Sequence, residues 1–245
     1  MSKHNLFTKK LKKQFVSFND SIEGYFNKIK FFKQNFKKTE IYKYNKVSIG
    51  FGLIILLSLI YLLLPTFYDK SIIQKNIKDQ VYKKYNISLK FNEDVNYSFL
   101  PKPYFTVKNA SILNGKKEIA SVEKLNIHIK KNQFYKFNSV EVKDLVFKKA
   151  DFYIYQNDVH FFKRLLETEP NENQIIIKKS NIFFKDENDE VLFINKIYQS
   201  KFYYDSINLQ NTLTSKNEIF NIPYKITIQN NKFNKNIFTK FNSKK

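Results

Sequence analysis

A mainly β fold with a few helices follows from three features of the sequence. One long uncharged apolar run lies near the N-terminus, a period-four apolar stripe stands just behind it, and period-two alternation begins at Ile87. Together they predict one N-terminal transmembrane helix followed by a meandering antiparallel β-sheet, closed as a sandwich or open as a curved groove. The predicted organisation is a basic cytoplasmic segment over 1–46, a transmembrane helix over 47–68, a short helix over 69–85 and a β-rich domain over 86–245.

The apolar run, VSIGFGLIILLSLIYLLL from Val47 to Leu64, carries no charge and is closed by Pro65. At about 1.5 Å per residue it covers roughly 27 Å, near the hydrocarbon thickness of a bilayer. A buried core helix would keep a polar stripe, and only Ser48 and Ser58 interrupt this one. Tyr61, Phe67 and Tyr68 stand at the outer end, where amphipathic rings favour the interface. The long segment ahead of the run, and the bulky LLLPTFYD behind it, do not fit a cleaved signal peptide. Twelve lysines against Asp20, Glu23 and Glu40 precede the run, whereas the flank after it is nearly neutral. Positive-inside bias then places the N-terminus in the cytoplasm and the C-terminal domain across the membrane.

Within residues 1–46, Leu11, Phe15, Phe18, Ile22, Tyr25, Ile29, Phe32 and Phe36 recur at steps of four and three. Two readings stay open: an amphipathic helix resting on an anionic leaflet, or a loosely ordered basic tail. Behind Pro65, Ser71 and Gln74 resemble a capping box, and Ile73, Ile77, Val81 and Tyr85 form one stripe. Strand-like runs follow near Ile87–Phe91, Tyr104–Lys108, Leu125–Ile129, Val140–Phe147, Phe152–Tyr155, Ile175–Lys178, Asn181–Lys185, Val191–Ile194, Phe202–Tyr204, Tyr224–Gln229 and Phe233–Phe241. Turns are expected at Asn114-Gly115 and over Asp186–Asp189. A helical interruption, Asp158 to Glu167, puts Val159, Phe162, Leu165 and Leu166 on a common face.

Composition excludes several chemistries. With no cysteine there are no disulfides, thiolate metal sites or thiol nucleophiles. The net charge of +21 suggests nucleic acid, but all basic residues except Arg164 are lysines. Lys, Asn, Ile, Phe and Tyr dominate as AT-rich codons would make them, and the arginine fork suited to phosphate is missing, so no nucleic-acid partner is expected. His4, His128 and His160 fall in separate segments without metal-ligand spacing, so no metal or cofactor is expected. Asp186, Glu187, Asp189 and Glu190 lack the spaced ligands of a calcium loop. No phosphate loop, nucleophile elbow or dinucleotide fingerprint occurs, and no catalytic residues are assigned.

The order of the elements carries a resemblance. Pro65 ends the span, a short helix follows, Leu100, Pro101 and Pro103 make a hydrophobic-Pro-x-Pro step, and Ala120, Val122, Leu125, Ile127 and Ile129 form an A-x-V-x-x-L-x-I-x-I strand. Over roughly residues 55–195 this resembles the start of the AsmA family of bacterial inner-membrane-anchored envelope proteins. Family members are typically longer, so a short member, a truncated reading frame and a fragment are all open. The resemblance implies a non-enzymatic protein with its C-terminal domain in the periplasm, acting in phospholipid transport or homeostasis or in outer-membrane assembly. Membrane lipids, and envelope proteins besides, are the partners it implies. Leu125, Ile127 and Ile129 are the candidate positions, facing either lipid or the core. The alternative is a bitopic periplasmic scaffold or division-type protein that recruits protein partners.

Overall fold

The computed structural model describes residues 38–155, 173–231 and 236–243. The chain divides into two compact units, Met1–Ser58 and Leu59–Lys245. The expected amphipathic helix of the basic segment and the expected helix at Asp158–Glu167 lie outside the described residues.

Helix α1 spans Lys38–Leu63 and runs into a 3-10 turn, Leu64–Phe67, with Pro65 at its start. Proline suits that position because its missing N–H would have no helical partner there. Ser48–Phe67 is long and apolar enough to cross a membrane, and only 6% of that stretch is buried. A soluble core helix would bury such a stretch.

Helix α2, Lys70–Tyr85, starts two residues ahead of the expected capping box. Asp69 is the cap: its carboxylate accepts a hydrogen bond from the Ile72 N–H at 3.0 Å, and Ser71 sits inside the first turn. The helix ends at Asn86 in the left-handed conformation (φ 53°), with Lys83 and Lys84 in its last turn. Its buried residues are Ile73, Ile77, Val81 and Tyr85, the stripe read from the sequence.

Ten strands follow: β1 Ser88–Phe91, β2 Asn96–Ser98, β3 Tyr104–Asn114, β4 Lys117–Ile129, β5 Val142–Tyr155, β6 Ile175–Lys185, β7 Val191–Asp205, β8 Gln210–Ile219, β9 Ile222–Asn231 and β10 Asn236–Ser243. They form one open sheet in the order β1-β3-β4-β5-β6-β7-β8-β9-β10, with β2 also on β3. The Asn114-Gly115 turn closes the β3–β4 hairpin, Gly115 taking φ +63°. No second sheet exists among the described residues, so the sandwich alternative falls. The meander has one exception: β5 and β6 pair in parallel. A parallel pair cannot be closed by a hairpin and needs a crossover connection.

Several strands read as separate from the sequence are single. Val140–Phe147 and Phe152–Tyr155 belong to β5, Ile175–Lys178 and Asn181–Lys185 to β6, and Val191–Ile194 and Phe202–Tyr204 to β7. The breaks coincide with one level of the sheet. At this level two successive residues point outward, between inward residues three apart: Val107 and Ala110, Val122 and Leu125, Phe147 and Ala150, Ile177 and Ser180, Ile197 and Ser200. Asn109, Lys149 and Lys179 take positive φ there, and the register runs through this level without a shift across β3 to β7, so every strand carries the same extra residue. The step interrupts the period of two without breaking the pairing.

The core lies between α2 and the inward face of β1 to β5. Val107, Leu125, Ile127, Leu145 and Phe147 join Ile73, Ile77 and Val81 in one buried cluster. Helix α2 packs against β1 and β5.

Candidate functional site

Beyond β5 the same inward face continues without a helix over it among the described residues. Ile175 on β6 and Ile197 and Phe202 on β7 are buried, whereas the other apolar side chains of this face are half-buried: Ile177, Ile182 and Phe184 on β6, Leu213 on β8, and Ile226 and Ile228 on β9. With Phe147, Phe152, Ile154 and Ile175 they line a groove of about 370 Å³. From Ile175 to Phe184 it follows the strands for roughly 30 Å, at about 3.3 Å per residue. Burial of the α2-covered half and partial exposure of this half follow from one cause, since α2 is too short to cover both.

The groove floor also holds polar groups. Asn195, Ser200, Ser215 and Asn217 line it and are buried. The Tyr224 hydroxyl donates to Asn195 Oδ1 at 3.1 Å, and the Ser215 hydroxyl donates to Asn217 Oδ1 at 2.7 Å. Burial raises the Tyr224 phenol pKa, opposed by its hydrogen bonds to Asn195 and Asn217. Tyr224, Asn195, Asn217 and Ser215 therefore satisfy one another in the groove floor.

At the end where β4 passes into β5, the 130–141 connection and β2 hold the C-terminal end of the apolar helix. The Tyr61 hydroxyl donates to the Lys131 carbonyl at 2.7 Å, Tyr97 donates to the Leu62 carbonyl at 2.7 Å, and Tyr68 donates to the Phe134 carbonyl. The Tyr61 and Phe134 rings stack with centroids 5.5 Å apart. Burial, reinforced by Tyr68, pushes the Tyr97 phenol up to about 12. These hydroxyls satisfy carbonyls left over at the end of α1 and in the 130–141 connection.

The positions singled out from the sequence fall in the core. Leu125, Ile127 and Ile129 are at most 4% exposed and do not line the groove. Their unbroken alternation marks a strand whose inward side chains are all buried in the core. His128 points outward from β4 beside Asp144 and Lys102; burial lowers its pKa, with Asp144 opposing that shift. Among the described residues no group of three or more His, Cys, Asp or Glu side chains converges to hold a metal ion. The acidic run at Asp186 is a turn: the Asp186 carboxylate accepts from the N–H groups of Asn188 and Glu190, each at 2.9 Å. The groove residues on β7 to β9 escaped the sequence reading, because polar residues stand at half of the inward positions there.

Compared with known proteins, the chain matches no family model and no curated sequence.

Proposed function

We propose that this chain is a non-catalytic, single-pass membrane protein whose sheet domain holds the acyl part of a lipid in its open groove. The observation that carries this reading is the apolar face of β6 to β9, which no other element covers among the described residues. An uncovered apolar face of this kind favours an apolar ligand over water. The hydrocarbon core of a bilayer is about 30 Å deep and contains two acyl layers. A groove of similar length therefore takes one chain with room to slide.

The flanking charges support an N-terminus in the cytoplasm and a domain on the far side. The AsmA resemblance extends the proposal to a bacterial inner membrane, a periplasmic domain, and phospholipid homeostasis or outer-membrane assembly. A photo-crosslinking residue placed at Ile177 or Ile226 in the full chain, expressed in cells labelled with radioactive acetate, tests the groove. Labelled lipid adducts are expected at these positions and not at the outward position Lys201. Absence of adducts at both groove positions, or equal labelling at Lys201, would overturn the reading. Capture of a protein at the groove positions instead would favour the scaffold alternative.

A further inference from the structure

The opposite face of the sheet carries a feature that the groove reading does not use. Register pairs Lys108 with Lys124, Lys124 with Lys148, and Lys148 with Lys178. The row continues through Gln199 to Lys216 and Lys225. Six lysines therefore stand side by side on seven adjacent strands, one per strand, with a single neutral interruption. At about 4.8 Å between strands the row is roughly 29 Å long. All six are exposed or half-exposed, and none forms an ion pair with a described residue. Like charges directly opposite one another destabilise a sheet. A ladder of this kind is at its best when a polyanion lies along it and its counterions are released.

We infer that this ladder binds a linear, hydroxyl-rich polyanion, a glycan carrying phosphate or carboxylate groups, laid across the strands. Two features select that class. In the next outward row Thr214 and Thr227 stand side by side next to Lys201 with half-exposed hydroxyls, hydrogen-bonding partners for sugar hydroxyls, although Val146 and Ile176 occupy the middle of that row. No aromatic side chain is interleaved in the row, so it lacks the stacking platforms that hold single-stranded nucleic acid.

The test uses the full chain in phosphatidylcholine nanodiscs, which present no anionic lipid. Fluorescent poly(glycerol phosphate) and fluorescent oligomannuronate are titrated by anisotropy from about 50 to 200 mM salt. The two arms separate a phosphate-bearing glycan from a carboxylate-bearing one, and binding of either supports the inference. In the variant Lys124→Gln/Lys148→Gln/Lys178→Gln, affinity is expected to fall at least ~10-fold and the log–log salt slope to shrink by about 2. A charge-matched control, Lys75→Gln/Lys83→Gln/Lys116→Gln, is expected to stay within ~2-fold. The ladder variant should unfold at a temperature equal to or above that of the wild type in low salt, because repulsion is relieved. Equal affinity of the two variants, failure of the wild type to bind either glycan, tighter binding of oligothymidylate, or a lower unfolding temperature of the ladder variant would overturn the inference.

Discussion

Two isoleucines distinguish a covered core from an open groove. Ile77 on α2 is 0% exposed, whereas Ile228 on β9 is half-buried and faces the groove. Truncation to alanine removes three carbons, and at about 0.8 kcal/mol each full burial makes this roughly 2.4 kcal/mol. A closed site adds a cavity term, so Ile77→Ala should cost about 2–5 kcal/mol. At Ile228 about half of the transfer term applies, and the space left behind opens into the groove, so the expected cost is about 1 kcal/mol. Urea unfolding of the full chain in a mild nonionic detergent, followed by far-ultraviolet circular dichroism, measures both. A bound lipid adds stability that grows with its concentration. The lipid-dependent gain should vanish in Ile228→Trp, which fills the groove, and persist in Ile77→Ala. A cost at Ile228 equal to that at Ile77 would mean that the β9 face is sealed, and the open-groove argument would fail.

Two other perturbations follow. Tyr97→Phe deletes the hydrogen bond to the Leu62 carbonyl and leaves that acceptor part-buried, so a loss of about 0.5–1.5 kcal/mol is expected in thermal unfolding; no change would mean that this bond does not tie β2 to the end of the apolar helix. His128, facing Asp144, Lys102 and Lys148, has its pKa lowered by burial, so the unfolded chain takes up a proton first as pH falls below about 6.5. The stability that neutral His128 contributes is present above that pH and declines as pH falls through the folded value. His128→Asn should flatten the unfolding temperature against pH in this window, and an unchanged profile would assign the slope to another group.

What the sequence reveals depends on how uniformly each position is buried. The apolar span, the α2 stripe and the turns at Asn114-Gly115 and Asp186–Asp189 are legible, because one local cause fixes each of them. The unity of β5, β6 and β7 is not: Phe147-x-x-Ala150, Ile177-x-x-Ser180 and Ile197-x-x-Ser200 break the period of two, and each strand reads as two. The parallel β5–β6 pair escaped the reading, because strand patterns alone carry no direction and an antiparallel meander was expected throughout. Strand β8 (QNTLTSKNEI) is too polar to register as a strand, since its inward Ser215 and Asn217 line the groove floor. The clearest alternation, at Leu125, Ile127 and Ile129, belongs to the core for the same reason that it is clear: every inward position there is buried.

The level of paired outward residues ties the two faces of the sheet to one sequence device. On β5 and β6 it consists of paired lysines, Lys148-Lys149 and Lys178-Lys179, whose second members take positive φ. The first members stand in the ladder, while Phe147 and Ile177, immediately before them, line the groove. Removing one residue from either pair would restore the period of two within that strand but leave it one residue short of its neighbours, so the pairing on one side of the deletion would slip or bulge. Groove and ladder are therefore not independent decorations. The extra outward residue that each strand carries at this level keeps the register continuous, and with it the apolar row on one face and the lysine row on the other.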